Sequence, residues 1–341
     1  MIDLAVVIPA YKAQYFEDTL SSLAAQTNKN FNVYIGDDYS PDNLRSIADK
    51  FSGRLNINYT RFPENIGPRN LVKQWKRCID LVNNHEEWLW LFSDDDIADP
   101  DCVARFYTAL GQNGDRFDIY RFNTVTIDGV GNIVQPNATG PKEESGEQMA
   151  YHLLRGERGN SMPDHIFSRA IYDYCGGFVE TDFAQGADWA TSVLFAQQKG
   201  ICIIPQAKVY WRKSGVNISS VAAINEGAMI KGHLQFISWM LRHFGYLKNT
   251  PSGITYHMMV GAVIVNIRQV MIHHFKKLSF YNARILLNFY KSELGLSFYE
   301  SIKQVYLIKE GTVPFIRKVS DLYVRFSSGL KSRIFKNSSA R

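Results

Sequence analysis

The sequence has few cysteines and no long apolar run. Its 341 residues contain only Cys78, Cys102, Cys175 and Cys202, none of them in a CxxC pair. Such scattered use is typical of reduced thiols in the cytoplasm rather than of a disulfide framework. The longest apolar stretch, Met258 to Ile267, has about half of the ~20 residues that a membrane-spanning helix needs. No signal-peptide pattern precedes the first predicted strand, which also favours a cytoplasmic location.

Two familiar nucleotide-binding loops are also absent. The sequence has no GxGxxG segment, which argues against a dinucleotide-binding oxidoreductase. The loop after the first predicted strand reads Pro9-Ala-Tyr-Lys-Ala, without the glycine-rich, arginine-containing run that a sugar-1-phosphate nucleotidyltransferase would need. We therefore rank that second enzyme class low.

Positive charge is concentrated near the C terminus. From His273 onward, 13 Lys and Arg residues stand against 4 Asp and Glu, whereas the net charge of the whole chain is only +5. A basic end on an acidic body predicts an anionic partner for that end. On charge alone, a membrane surface and nucleic acid both fit. The overall composition, 45% hydrophobic and 21% charged, is typical of a globular protein.

Strands and helices alternate through the first hundred residues. Short apolar runs predict buried strands at 4–8, 31–35, 55–62 and 88–92, and helical spacing predicts helices at 13–26, 44–51 and 71–82. This alternation predicts an α/β fold with a mostly parallel sheet flanked by helices. Ligands of such sheets bind at the carboxyl ends of the strands.

The pattern changes further along the chain. It predicts a strand at 119–127, helices at 148–155 and 189–199, and short strands at 201–205 and 208–211. After about residue 220 it predicts only helices, broken near Pro251, Gly295 and Gly311. Residues 315–335 combine apolar and basic side chains at helical spacing. That pattern is typical of a helix in a membrane interface, and equally of a helix packed on its own domain.

Acidic residues follow two of the predicted strands and begin one helix. The run Asp94-Asp95-Asp96 closes the fourth strand, and its mutual repulsion would be relieved by a cation. Mg²⁺ and Mn²⁺ bind oxygen ligands, and the carboxylates of a protein often bind such an ion together with the phosphates of a substrate. A solvated acidic turn is the alternative. The pair Asp37-Asp38 closes the second strand, and Asp188 begins a helix, where a simple cap is the alternative.

In this order, the segments resemble the family-2 inverting glycosyltransferases of the GT-A fold, over about residues 3–220. Val7-Ile-Pro-Ala-Tyr11 is similar to the opening strand of that family. Asp37-Asp-Tyr-Ser40 resembles its Asp-Asp-Gly-Ser turn, with tyrosine in place of glycine. Ser93-Asp-Asp-Asp96 resembles its Asp-x-Asp-Asp metal motif, with serine in place of the first aspartate. Residues 209–219 are similar to its closing Tyr-x-Arg-x-x-x-x-Ser segment.

The resemblance implies a nucleotide site at the ends of the first strands. The side chains that would frame the nucleotide are those of Pro9, Ala10, Tyr11 and Asp38, with Asp38 on the base. The resemblance also assigns Asp94 to the donor site. Arg69 and Arg212 could clamp phosphates, although an ion pair within the protein explains each arginine equally well.

The resemblance also implies a metal-assisted displacement. Asp95, with Asp96 and Asp94 beside it, would hold Mn²⁺ or Mg²⁺ against the diphosphate, where the metal neutralises the leaving group. Asp188 would take the proton from an acceptor hydroxyl as that hydroxyl attacks the anomeric carbon. A single displacement of this kind inverts the carbon.

The resemblance extends to domains and partners. It implies a GT-A catalytic domain at 1–220, with a nucleotide-binding half at 1–100 and an acceptor half at 101–220, and a helical region at 221–341. The expected partners are a nucleotide sugar, a UDP-sugar by family habit, and a glycan or lipid-linked acceptor. The basic C-terminal helix would then meet the anionic inner face of the cell membrane, not nucleic acid. A relative that binds nucleotide sugars without turnover is the main alternative, since Ser93 and Tyr39 depart from the family pattern.

Overall fold

The structure is a computed structural model. It describes residues 3–83, 85–136, 139–213, 226–245, 252–274 and 278–311. The chain divides into two compact units, residues 1–259 and 260–341. The predicted basic helix at 315–335 and most of the closing segment at 209–219 lie outside the described residues.

The first hundred residues fold as the alternation predicts. Seven elements follow one another: β1 (Leu4–Ala10), α1 (Phe16–Ala24), β2 (Asn32–Asp37), α2 (Leu44–Asp49), β3 (Ile57–Arg61), α3 (Leu71–Ile79) and β4 (Trp88–Leu91). The four strands lie in the order β3-β2-β1-β4, and all their pairings are parallel. β1 and β2 are buried on both faces, which explains their continuous apolar runs.

The second part of the unit extends this sheet in a mixed direction. Its elements are β5 (Ile97–Ala98), α4 (Cys102–Asn113), β6 (Ile119–Ile127), β7 (Ile133–Pro136), β8 (Glu143–Glu144), α5 (Gly146–Leu154), β9 (His165–Ser168), α6 (Arg169–Tyr174), α7 (Ala187–Phe195) and β10 (Ile201–Arg212). β9 joins the two parts, because it pairs antiparallel with β4 on one side and with β6 on the other. β6 and β10 are parallel. The predicted α/β fold with helices on a central sheet is confirmed.

The second part differs from the prediction, because α4, α6, β5, β7, β8 and β9 were not predicted and two predicted strands are one. The strands predicted at 201–205 and 208–211 are one strand, β10, whose pairing with β6 shifts between Ile204 and Lys208. Pro205 lies at this irregularity, where a missing N–H is tolerated. β9 was not predicted, because it has only four residues and all of them are buried, so its sequence shows no alternation.

Four helices follow in the described part of the remaining chain: α8 (Glu226–His243), α9 (Tyr256–His274), α10 (Phe280–Ser292) and α11 (Phe298–Gly311). α8 packs within the first unit against the segment that precedes α7. There Gln235 accepts a hydrogen bond from the backbone N–H of Asp182 at 2.8 Å and donates one to its carboxylate at 3.0 Å. Within the described residues, none of the helices has both the length and the apolar character that crossing a bilayer requires.

Candidate active site

The acidic run lies at the carboxyl end of β4, beside the loop that follows β1. Asp94 joins the two, because its Oδ2 atom accepts hydrogen bonds from the backbone N–H groups of Tyr11 and Lys12, both at 2.8 Å. Burial raises the pKa of Asp94, and the neighbouring charge of Lys12 opposes that shift. Pro9 and Ala10 end β1 and pair with the last residues of β2. The residues predicted to frame a nucleotide and those predicted to hold a metal therefore meet at one edge of the sheet.

Lys12 is the cation at the centre of this edge. Its Nζ atom lies 2.9 Å from Oδ2 of Asp95 and 3.6 Å from Oδ1 of Asp94. Burial would lower the pKa of Lys12, but the charges of Asp94 and then Asp95 outweigh that effect and raise it. The lysine therefore carries its charge throughout the neutral range.

Asp96 points into the protein. Its Oδ1 atom accepts a hydrogen bond from the backbone N–H of Arg212 at 2.8 Å. Its Oδ2 atom is buried and has no hydrogen-bond partner among the described residues. Burial, and then the charge of Asp95, raise the pKa of Asp96 well above its ordinary value. The buried carboxylate is thus held in an environment that favours its neutral form, or a cation beside it.

Arg212 binds the backbone of the acidic run through its side chain. Its guanidinium donates to the backbone carbonyl of Asp95 at 2.8 Å, forms an ion pair with Asp18 at 3.2 Å, and lies over the ring of Tyr15. The side chain is buried. Of the two roles that the sequence left open for this arginine, these contacts favour the ion pair within the protein.

The carboxylates suit a hard divalent cation in their chemistry. Mg²⁺ is commonly held by one or two carboxylates together with substrate phosphates. Asp95 and the unpartnered oxygen of Asp96 are potential metal ligands of that kind. Among the described residues, no three His, Cys, Asp or Glu side chains are arranged to enclose a metal ion. Lys12 takes the position beside Asp95, so a cation held there would have to displace its ammonium group.

Asp38 anchors a loop next to the predicted nucleotide site. Its two carboxylate oxygens accept hydrogen bonds from the backbone N–H groups of Ile66 and Gly67, both at 2.8 Å, and Arg77 forms an ion pair with it. A Cβ atom on Gly67 would lie 2.6 Å from the same carboxylate. The glycine is therefore required for this close approach. Arg69 lies on the same loop, exposed, in an ion pair with Glu64 at 2.9 Å.

The turn between β2 and α2 explains how tyrosine replaces the family's glycine. Tyr39 has a φ of 57°, in the left-handed region that glycine adopts without penalty. Arg61 stacks over the Tyr39 ring at 4.8 Å and forms an ion pair with Asp37 at 3.0 Å. Ser40 donates to the carbonyl of Tyr11 at 2.6 Å, so the turn remains tied to the β1 loop. The turn keeps the glycine conformation despite the substitution.

Asp188 lies in the first turn of α7, half-buried. Burial raises its pKa to about 7, a hydrogen bond from the backbone N–H of Trp189 opposes the shift, and the charge of Asp164 adds to it. The preceding segment is strained, because Phe183 and Ala184 both have positive φ values. Gly186 begins the helix with a φ of 68°, and a Cβ atom there would lie 2.5 Å from the Phe236 ring of α8. The contact with α8 therefore fixes the residue at which α7 begins, and with it the position of Asp188.

A buried polar cluster surrounds Asp164. The charge of Asp164 acts on both Asp96 and Asp188, and it adds to the rise that burial causes in the pKa of each. Arg121 lies 3.6 Å from Asp164 and is buried with it. His165 is buried as well, with Nδ1 2.9 Å from the carbonyl of Ser161, and burial lowers its pKa to about 3. This buried histidine is therefore neutral, and its hydrogen bond to the Ser161 backbone fits a structural role.

Sequence reasoning did not single out two of these residues. Lys12 directly follows Pro9-Ala-Tyr11, but nothing in a linear sequence pairs it with a carboxylate 83 positions later. Asp164 directly precedes His165, and its burial is a property of the folded protein that the sequence does not show. For Lys12, a basic residue at the end of β1 opposite an acidic run was the available signal.

Comparisons with known proteins identify the family and the fold. The family model described as "Glycosyl transferase family 2" matches residues 5–174. A validoxylamine A glucosyltransferase of Streptomyces hygroscopicus subsp. jinggangensis is 41% identical over 69 residues, which are 19% of this chain and 16% of that protein. The chain thus matches only a small part of this relative's length.

Solved structures share the fold. S. aureus TarS (residues 1–349), in complex with UDP-GlcNAc, has a TM-score of 0.68 at 14% identity over 91% of this chain and 90% of its own. The mannosyltransferase PcManGT from Pyrobaculum calidifontis, in complex with GDP-Man and Mn²⁺, has a TM-score of 0.53 at 13% identity over 90% of this chain and 85% of its own. The predicted GT-A fold with a helical C-terminal region is confirmed, and the chain belongs to glycosyl transferase family 2.

Proposed function

We propose that the protein transfers a sugar from a nucleoside-diphosphate sugar to an acceptor hydroxyl, with inversion at the anomeric carbon and Asp188 as the general base. The observation that carries this proposal is the position of Asp188 in the first turn of α7, where burial raises its pKa to about 7. A base with a pKa near the working pH combines a sizeable ionised fraction with the driving force to take a proton.

The nucleotide would lie along the ends of β1 and β2. Tyr11 is partly exposed there and available for contact. Pro9, Ala10 and Asp38 would form the wall beside it, and the Asp94 carboxylate keeps the Tyr11 backbone in place. Arg69, exposed on the adjacent loop, would reach a phosphate only by leaving Glu64. The UDP and GDP sugars bound by the two structural neighbours support a nucleoside-diphosphate donor.

Asp95 and Asp96 would hold Mn²⁺ or Mg²⁺. When bound, such an ion would neutralise charge on the nucleoside-diphosphate leaving group. The Mn²⁺ in the complex of PcManGT supports this assignment. Asp188 would then remove the acceptor proton, and burial, with a smaller contribution from the charge of Asp164, raises its pKa toward the neutral range.

The acceptor we propose is a glycan or a lipid-linked glycan, met from the cytoplasmic side of the cell membrane. In the second unit, α11 carries exposed apolar side chains on one face, namely Phe298, Tyr299, Ile302 and Tyr306. Aromatic side chains of this kind are suited to the boundary between lipid and water. Together with the basic sequence of 312–341, they support peripheral association with an anionic membrane.

A thermal-shift screen tests the donor class. We would measure the melting temperature with UDP, GDP and their sugars, each with and without Mn²⁺, because a ligand of the folded state stabilises it by mass action. The proposal expects stabilisation by one nucleotide series, enhanced by metal and reduced in Asp95→Ala. Release of nucleoside diphosphate from the stabilising donor would then demonstrate turnover. Binding without any release, on every acceptor class tried, would instead favour the binding-only relative.

A further inference from the structure

We propose that Lys12 is the resident cation of the acidic site: it holds Asp95 in the nucleotide-free protein, competes there with a divalent ion, and turns to the donor's diphosphate when that ion and the donor bind. This inference rests on the proposed function for its last step only. Its first two steps concern the protein and the metal alone.

The geometry of Lys12 differs from that of a surface ion pair. Its ammonium group approaches two carboxylates at once, Asp95 at 2.9 Å and Asp94 at 3.6 Å, and both carboxylate side chains are less than 10% exposed. The backbone N–H of the same residue binds Asp94. Main chain and side chain of Lys12 are thus both directed at the acidic run, which the flexible stem of an exposed lysine would not maintain.

The position of the ammonium group creates competition with a metal. A divalent ion held by Asp95 would lie within a few ångströms of Nζ of Lys12, and the repulsion between two cations at that distance is strong in a partly buried site. Metal binding therefore requires that Lys12 first leave Asp95. Among the described residues, the acids that act on Lys12 are those of the acidic run, so without nucleotide the displaced ammonium would have no other anionic partner there.

A diphosphate changes that balance. Lysine is a compact, flexible point charge that binds phosphate readily, and Lys12 follows directly on Tyr11 at the proposed nucleotide wall. A bound diphosphate would offer Lys12 a new anionic partner and would supply the metal with further oxygen ligands. Metal and nucleotide are therefore expected to favour each other's binding, with Lys12 setting how weakly the metal binds alone.

Mn²⁺ binding to the nucleotide-free protein tests the competition. Free aqueous Mn²⁺ would be counted by electron paramagnetic resonance during titration of the wild type, Lys12→Met, Lys12→Arg and Lys50→Met. We expect Lys12→Met to bind Mn²⁺ at least about tenfold more tightly than the wild type, because the competing charge is gone. Lys12→Arg keeps that charge and should resemble the wild type. Lys50→Met is the matched control, since Lys50 forms an exposed ion pair with Glu17 at 2.8 Å.

UDP binding by calorimetry at saturating Mn²⁺ tests the last step. Lys12→Met should bind UDP at least about tenfold more weakly than the wild type, because one phosphate-binding charge is lost. Lys12→Arg and Lys50→Met should bind UDP about as tightly as the wild type. Equal or weaker Mn²⁺ binding by folded Lys12→Met would overturn the competition, whatever UDP does. If no form binds UDP with or without Mn²⁺, the diphosphate step and the proposed function fail together, and the Mn²⁺ result still decides the competition.

Melting temperatures show whether each variant folds. If Lys12→Met does not fold, Lys12→Gln takes its place, with the same expected tightening of Mn²⁺ binding. The wild type alone provides one more measurement: its Mn²⁺ affinity should rise at least about tenfold when UDP is present. An Mn²⁺ affinity that UDP leaves unchanged, in a protein that binds UDP, would contradict the proposal.

Discussion

Replacing Asp188 by asparagine should lower the activity of the protein and raise its stability. The amide cannot accept the acceptor proton, so we expect turnover to fall by roughly 10²- to 10⁴-fold, the usual contribution of a general base. Nucleotide binding should be unchanged, because Asp188 belongs to α7, whereas the proposed nucleotide site is formed by the ends of β1 and β2. In the wild type, activity should rise about tenfold per pH unit below pH 6 and level off above pH 8, since only the ionised carboxylate acts and its pKa is about 7.

The stability effect follows from the same pKa. Asp188 titrates near its ordinary value of 3.8 in the unfolded chain and at about 7 in the folded protein. Between these two values the folded state binds the additional proton, so its stability decreases as the pH rises, by about 1.4 kcal/mol per unit. The loss is complete above pH 7 and amounts to roughly 4 kcal/mol. Asparagine does not titrate, so the variant should avoid this loss.

Urea denaturation at pH 5 and pH 8 measures the difference. The gain in unfolding free energy from Asp188→Asn should be about 2–3 kcal/mol larger at pH 8 than at pH 5. Asp173→Asn is a suitable control, because Asp173 is an exposed acid of the same unit. Turnover at the wild-type rate in Asp188→Asn would refute the assignment of the base. A stability gain that does not change with pH would refute the burial argument on which the pKa rests.

Three further predictions concern positions around the site. Gly186→Ala should destabilise the protein by about 1–3 kcal/mol through overlap with Phe236 and lower turnover. Gly176→Ala, also at positive φ but with open space around its Cβ, should destabilise less, and equal losses in urea denaturation would contradict the packing argument. The unfolding free energy of Tyr39→Gly should exceed that of Tyr39→Ala by about 1 kcal/mol. Alanine, unlike glycine, is disfavoured in the left-handed conformation that position 39 adopts. Equal stability of the two variants would contradict the positive φ at this position. Deleting 312–341 should weaken sedimentation with anionic vesicles but not with neutral ones, and unchanged sedimentation would remove the membrane proposal.

The first half of the fold could be predicted because its signals are local. β1 and β4 are continuous apolar runs, and each is followed at once by the residues that form the site edge. Parallel neighbours end at the same edge of a sheet, so Asp38 and the acidic run could be brought near one another from strand order alone. The role proposed for Asp188 rests on the family resemblance, because an aspartate in the first turn of a helix is ordinarily a cap.

The remainder depends on contacts between distant parts of the chain. β9 forms because β4 and β6 both offer it a partner, although its four residues show no strand pattern of their own. The helix start at Gly186 depends on Phe236, which lies 50 residues further along in a helix that the sequence assigns to a separate region. We propose that the catalytic function extends to α8 for this reason, since that helix supports the segment carrying the base.

The balance of charge in the site bears on the order in which the metal and the nucleotide bind. Asp94, Asp95, Asp96 and Asp164 are buried near one another, and Lys12 and Arg121 are cations directed at them. Burial raises the pKa of Asp96 and of Asp164, which is how a site with more carboxylates than cations limits its negative charge. A diphosphate would add further negative charge to the same edge. Its binding should therefore require a cation to enter with it, so we expect nucleotide affinity to fall steeply when divalent ions are removed by a chelator.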